Sequence, residues 1–314
     1  MGSSKKLLKV SESQVEQKRK VRFRWNGNYF YLLPWFIGLL VFRIYPFIDA
    51  FLISLERSGG IGREPVFVGL SNYTELLFGN TQSGEVFRHS LGVTFRYVAL
   101  TVPLVLVFAL FIAFILNFKI KGIGFFRTTF YVPSILGGSV SVAILWRFVW
   151  GNQGLINSFL EAIGFEAVGW LVNPATAMIV LVLLRAWQFG SVMLIFLSAL
   201  QGVPASLYEA ASIDGASKVR QFFTVTVPII TPVILFNAVQ LLVSAFQEFN
   251  ASFLVTEGGP LNATQLLNLF IYQRAFLNLQ FGIASAASWI MAVIIMFFTV
   301  IIFKTSNKWV HYSD

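Results

Sequence analysis

Six stretches of this sequence run for more than twenty residues with almost no charge: Tyr29–Leu55, Ser90–Leu116, Phe126–Trp150, Ala175–Leu200, Pro228–Phe249 and Phe281–Phe303. Crossing ~30 Å of hydrocarbon takes about 20 helical residues at ~1.5 Å each, so each stretch is long enough to span a bilayer. Barrel strands would alternate over ~10 residues, and these runs are continuous. Charged residues make up 12% of the chain, against ~25% in ordinary soluble domains, and a disordered chain would be poor in apolar residues. The expectation is an all-α integral membrane protein with six transmembrane helices. Residues 29–303 form one membrane domain, between a basic segment 1–28 and a tail 304–314. No fixed-period repeat and no Gly/Ser- or Pro-rich linker marks a second domain.

The net charge of +9 would suggest nucleic acid if it lay along one face, but its distribution says otherwise. Lys5, Lys6, Lys9, Lys18, Arg19, Lys20, Arg22 and Arg24 crowd the start of the chain, as a juxtamembrane segment facing anionic lipid does. The stretch is too long and polar for a signal peptide, and the run after it has no small-residue cleavage site. Segments 1–28, 117–127, 201–227 and 304–314 carry 8, 3, 2 and 2 Lys/Arg, while loops 56–89, 151–174 and 250–280 carry 3, 0 and 1. By this asymmetry both termini are cytoplasmic. Cysteine is absent and the only histidines are His89 and His311, which excludes disulfide frameworks and thiol chemistry and leaves little for metal sites.

Arg43, Asp49, Arg96, Arg147, Arg185 and Glu248 fall inside the apolar stretches, where an ionised group is costly and points to function. Arg96 and Arg147 lie near predicted membrane faces and can snorkel. Arg43 and Asp49, six residues apart, fall on different helix faces, so each needs a partner elsewhere or water. On the fifth span Asn237, Gln240, Ser244, Gln247 and Glu248 share roughly 100° of helical arc. Leu184, Trp187, Gln188, Ser191 and Ser198 form a matching face on the fourth, with Arg185 at its edge. Two such helices would line an aqueous path. Amides, a carboxylate and an indole suit sugar recognition, pairing with hydroxyls while the ring stacks on the apolar sugar face. Interhelical hydrogen bonding is the alternative use of the same stripe. Ser134, Gly137, Gly138 and Ser141 on the third span read as small residues for close helix packing.

Between the fourth and fifth spans runs Gln201–Pro232, QGVPASLYEAASIDGASKVRQFFTVTVPIITP. Pro204-Ala205-Ser206 opens a short helix through Leu207, Tyr208, Glu209, Ala210 and Ala211. Gly215 supplies the stop, and a second helical piece carries Val219, Phe222, Phe223 and Val225 up to Pro228. A short helix-turn-helix of this kind suits a groove on a partner.

Glu209-Ala210-Ala211, then Asp214-Gly215-Ala216, then Pro228, resembles the EAA motif of permease subunits in binding-protein-dependent ABC importers. Phe67-Val68-Gly69-Leu70-Ser71-Asn72-Tyr73, Phe125-Phe126-Arg127-Thr128 with Pro133, and Thr256-Glu257-Gly258-Gly259-Pro260 with Tyr272 and Phe276 are similar to the carbohydrate branch, in its longer, maltose-type permease. The resemblance covers most of 30–303 and implies a type I importer permease fold in a bacterial or archaeal cell (inner) membrane. It implies that Glu209, Ala210, Ala211, Asp214, Gly215 and Ala216 form the coupling loop docking into the ATPase. Leu184, Trp187, Gln188, Ser191, Ser244 and Glu248 match positions that hold sugar in that family. Glu248, where relatives often carry smaller or amide residues, and Arg43 in a usually apolar first span depart from its pattern.

The sequence has no G-x-x-x-x-G-K-[ST] run and so no phosphate cradle of its own. The expectation is a transport subunit that is not an enzyme and binds no cofactor or metal, with ATP and Mg used by partner ATPase subunits. The resemblance implies as partners a second, shorter permease, two ABC ATPases, and an extracytoplasmic solute-binding protein touching loops 56–89 and 250–280. It implies an oligosaccharide or related polyol as cargo, a lipid environment and no nucleic acid. An ion-coupled secondary transporter is the alternative, although matched broken repeats are not visible. No catalytic constellation for a membrane enzyme appears.

Overall fold

In a computed structural model, the structure describes residues 31–57, 64–118 and 121–311. The basic segment 1–28 lies outside them. The described residues fall into two compact units, divided between Asp49 and Ala50.

The first unit holds most of α1 (Leu33–Ser54), which is long and apolar enough to cross a membrane. It starts with Pro34 in its first turn, where the missing N–H is not needed. Leu40–Ile44, which includes Arg43, forms a π turn closed by the N–H of Tyr45 on Leu40 O, and Pro46 follows. Widening one turn carries the helix past a residue with no N–H to donate.

In the second unit a two-residue hairpin pairs β1 (Glu56–Arg57) with β2 (Val66–Phe67), and α2 (Ser71–Phe78) is tied to it by Asn72. That buried amide donates to Ser54 O and Glu56 O, both at 2.8 Å. The central element is α3 (Gln82–Leu116), 35 residues capped by Thr81, whose hydroxyl accepts from Gly84 N at 3.2 Å. At ~1.5 Å per residue it is about 50 Å long, so its first turns stand clear of the hydrocarbon.

Around α3 are set α7 (Pro174–Trp187), α8 (Gly190–Gln201), α10 (Lys218–Phe246), α11 (Leu267–Tyr272) and α12 (Phe281–Ser306). Ala109 and Ala113 of α3, fully buried, let Met193 and Phe196 of α8 approach closely. At the other end of α3, Phe87 meets Phe270 edge-on at 5.7 Å above Ala286 and Ala287 of α12. Small residues at such spacing are how helices pack where lipid supplies no hydrophobic drive.

Two of the expected spans are not straight. The third is broken into α4 (Ile123–Leu136) and α5 (Val140–Val149), bent by 104°, and the fourth into α7 and α8, bent by 45°. At the first break a Cβ on Gly137 would lie 2.6 Å from Gln188 Cγ, and Ser139 caps α5 by accepting from Val142 N at 3.3 Å. At the second, α7 ends at Trp187, and Gly190 starts α8 where a Cβ would lie 2.5 Å from Phe130 O. The described residues thus hold four continuous spans and two bent ones.

The connections segregate by end. Residues 201–227 meet the end of α3 through Phe114 against Phe222 (4.8 Å), and His311 N donates to Thr231 Oγ1 on the same α10 (2.9 Å). Loop 250–280 meets the start of α3, with His89 Nε2 3.0 Å from Asn262 O and Leu267 N on Thr94 Oγ1 at 2.8 Å. Arg147, beside loop 151–174, pairs with Glu257 at 3.1 Å. Short α6 (Leu155–Ala162) is locked in that loop by Asn157.

Candidate functional site

The breaks in the third and fourth spans face one another and open a cavity of ≈ 160 Å³. Ser134, Gly137, Gly138 and Ser139 line it from the first break, Leu184, Arg185 and Gln188 from the end of α7, and Glu248, Asn250, Ala251 and Leu254 from beyond α10. A chain of hydrogen bonds holds its wall. Gln188 Nε2 donates to Gly137 O at 3.0 Å, while Arg185 donates to Gln188 Oε1 at 3.3 Å and to Ser244 Oγ at 3.1 Å. Glu248 Oε1 accepts from Ala251 N at 3.0 Å, fixing the carboxylate on the turn it begins. Arg185 and Glu248 share the cavity, yet their charged groups are not within ion-pair distance. Each charge is therefore held by neutral partners and left available to a third group.

The expected stripe divides. Leu184, Gln188 and Glu248 reach the cavity, and Ser244 supports it through Arg185. Trp187 stands beside it, 5.7 Å from Trp146, whose Nε1 donates to Val180 O at 3.1 Å. Ser191 and Gln240 are exposed, and Asn237 is buried in the subunit. Gln247 closes the helix: α10 ends at Phe246, and Gln247 O accepts from Asn268 Nδ2 at 2.6 Å. A continuous helical phase therefore does not extend from Asn237 to Glu248, nor from Leu184 across the α7–α8 break to Ser191. The small residues expected at close helix contacts include such contacts: a Cβ on Gly137 would lie 2.6 Å from Gln188 Cγ, and one on Gly190 would lie 3.1 Å from Ser134 Oγ. Gly137 also offers its carbonyl, and Ser134 and Gly138 line the cavity. Ser139, Asn250, Ala251 and Leu254 had no signal beyond the Gly-Gly-Ser break itself.

The loop between the fourth and fifth spans forms α9 (Ala205–Ile213), followed by Gly215 at φ +75° and the first turn of α10. Ser217 caps that turn by accepting from Arg220 N at 3.3 Å. Inside the fold it is braced by Tyr208 Oη against Thr226 Oγ1 (2.8 Å) and by Gln221 Nε2 donating to Ser212 Oγ (2.8 Å). Glu209, Ala210, Asp214 and Gly215 stand exposed, with Ala211 half-buried and Ile213 87% accessible. The second helical piece does not stop at Pro228. A π turn over Phe222–Thr226 precedes that proline, and α10 runs through to Phe246, as α1 does past Pro46. At the opposite end, partial burial lowers the Arg274 guanidinium below its usual range while the charge of Glu75 opposes the shift.

Residues 91–311 match the family described as binding-protein-dependent transport system inner membrane component. The chain belongs to that family. The permease is 46% identical over 303 residues, 96% of each chain, to the probable ABC transporter permease protein YesP of Bacillus subtilis. It is 34% identical to the trehalose/maltose transport system permease protein MalF of Thermococcus litoralis, over 94% of this chain and 98% of that one. To the sn-glycerol-3-phosphate transport system permease protein UgpA of Yersinia enterocolitica it is also 34% identical, over 91% and 95%. Its fold matches a bacterial ABC transporter involved in import of the acidic polysaccharide alginate, with TM-score 0.75, 20% identity and coverage of 89% and 94%. It matches the alginate transporter in complex with a pentasaccharide-bound periplasmic protein equally, with TM-score 0.76, 21% identity and coverage of 89% and 93%. This is a multi-pass membrane transport subunit of an ABC importer and not an enzyme.

Proposed function

We propose that this permease carries an oligosaccharide or related polyol across the cell (inner) membrane of a bacterium or archaeon. An extracytoplasmic binding protein delivers the cargo, and ATP hydrolysed with Mg in two partner ATPase subunits drives it. The observation that carries the cargo class is the cavity at the two helix breaks. There a guanidinium, a primary amide and a carboxylate converge without neutralising one another, beside the Trp146–Trp187 pair. Sugar hydroxyls need donors and acceptors side by side, and these groups supply both. One chain lines one wall of the path, and a second permease completes it as a heterodimer.

The ends of the bundle take opposite roles in this reading. Both termini, 117–127 and 201–227 face the cytoplasm, where α9 with Glu209, Ala210, Ala211, Asp214, Gly215 and Ala216 docks into an ATPase groove. Loops 56–89, 151–174 and 250–280 face the binding protein. Docking drives transport only because α9 binds the open and closed ATPases differently. ATP-dependent uptake of saccharides by the reconstituted importer tests this: Gln188→Ala and Glu248→Ala should raise the apparent KM or lower the rate with the complex intact. Normal kinetics in both would remove the cavity from the path.

A further inference from the structure

Where α3 ends beside the start of α10, two adjoining cavities share Phe114, Phe118, Lys218 and Phe222. The larger, ≈ 610 Å³, has apolar walls from Val107 and Phe111 of α3 and Val219 and Phe223 of α10. The smaller, ≈ 280 Å³, adds polar groups from Asn117, Tyr208 and Gln221. Among the described residues Lys218 is the one charged residue lining either cavity and forms no ion pair, its ammonium lying 3.4 Å from Gln221 Oε1.

Apolar slot, cation and polar notch thus follow one another at the level where α3 leaves the apolar layer and α10 enters it. Val107, Phe111 and Phe223 are 65%, 56% and 64% accessible, so the slot opens sideways from two membrane spans. A peptide entering it from the bilayer would need its own helix, about 10 Å across, to satisfy its backbone. An acyl chain needs nothing but apolar walls. A phosphate at the interface finds in Lys218 a cation with no carboxylate among the described lining residues to compete for it.

We propose that the slot binds an anionic phospholipid of the leaflet on the α9 side, one acyl chain against Phe111 and Phe223 and the phosphate on Lys218. Calling that leaflet cytoplasmic rests on the orientation proposed above; the site itself does not. Because Tyr208 of α9 and Phe114 of α3 both wall the smaller cavity, an occupied site ties the α9–α10 turn to the central helix.

The test uses the assembled importer in nanodiscs with phosphatidylglycerol carrying a diazirine on its acyl chain, followed by peptide mapping of the cross-links. Adducts are expected within 106–118 and 219–227, competed about fivefold better by unlabelled phosphatidylglycerol than by phosphatidylcholine, the factor that one lysine near a membrane surface contributes. Lys218→Gln should bring the two competitors to parity and Lys218→Arg should retain the preference. Val107→Trp, at the exposed mouth, should abolish the adducts with the complex intact. Absence of adducts from these segments in the unmodified importer, as when a partner's helix covers the slot, would overturn the proposal. So would an unchanged preference in Lys218→Gln. Neither readout depends on the cargo.

Discussion

Replacing Gly137 by alanine tests whether Gln188 has to stand where it does. The new Cβ would lie 2.6 Å from Gln188 Cγ and 2.8 Å from its Nε2, well inside ordinary contact distance, and the side chain is the part free to move. Swinging it away breaks the bond to Gly137 O and removes the acceptor from Arg185. A neutral bond is worth ~0.5–1.5 kcal/mol and one to a charged group ~1.5–3 kcal/mol. Water entering the cavity restores part of this, leaving a net loss of about 1–2 kcal/mol, or roughly five- to thirtyfold. The assay is the initial rate of ATP-dependent uptake into proteoliposomes at subsaturating cargo, with the unfolding midpoint of the complex measured in parallel. In Gly137→Ala/Gln188→Ala the clash is gone, so the double variant should match Gln188→Ala alone rather than the product of the two defects. Wild-type rate and stability in Gly137→Ala, or a double variant as poor as that product, would refute the reasoning.

Asn157 is 1% exposed, donates to Asn152 O (3.0 Å) and Val168 O (2.9 Å), and accepts from Val168 N and Trp170 Nε1, both at 3.0 Å. Asn157→Ala should cost about 2–4 kcal/mol, seen as a lower unfolding midpoint and faster proteolysis within 151–174; an unchanged midpoint contradicts it. Ser217→Ala removes the cap on α10 and about 1 kcal/mol of local stability, so amide exchange at 218–221 should quicken roughly fivefold with the rest of the helix unaffected. Glu209→Arg reverses a charge on the exposed α9 and should abolish transport by weakening ATPase docking. Unchanged uptake at normal complex yield would show that α9 does not couple there.

Local chemistry was legible in the sequence where a few neighbouring residues decide the conformation. Pro204, Gly215 and the apolar positions after Ser217 were enough to place α9, its stop and the start of the next helix, though not its continuation past Pro228, because caps and turns are set within four or five residues. The breaks at Gly137–Ser139 and at Gln188–Phe189 were not, since an apolar window measures length and not direction. Gly137-Gly138 ahead of a serine was the available signal; its small size pointed to close packing, which Gly137 makes against Gln188, but not to the bend or to the carbonyl that the site uses. Glu248 was picked out by a helical phase that in fact stops at Phe246. It reaches the cavity because the turn after α10, closed by its own carboxylate on Ala251 N, brings it there. Gln240 and Gln247 belong to the same phase and stand away from the cavity. The π turns before Pro46 and Pro228 have no mark in sequence beyond the prolines they accommodate.

The central claim is that the cavity at the two breaks lies on the transport path and changes its exposed side with nucleotide. Since the chain contains no cysteine, Ser134→Cys places a single near-isosteric thiol in the cavity wall. Its reaction with a membrane-impermeant maleimide is to be followed in the reconstituted complex from each side of the bilayer. The account predicts modification from the ATPase side without nucleotide and from the binding-protein side with binding protein and a non-hydrolysable ATP analogue. A thiol that reacts from the same side in both conditions, or from neither, would contradict it.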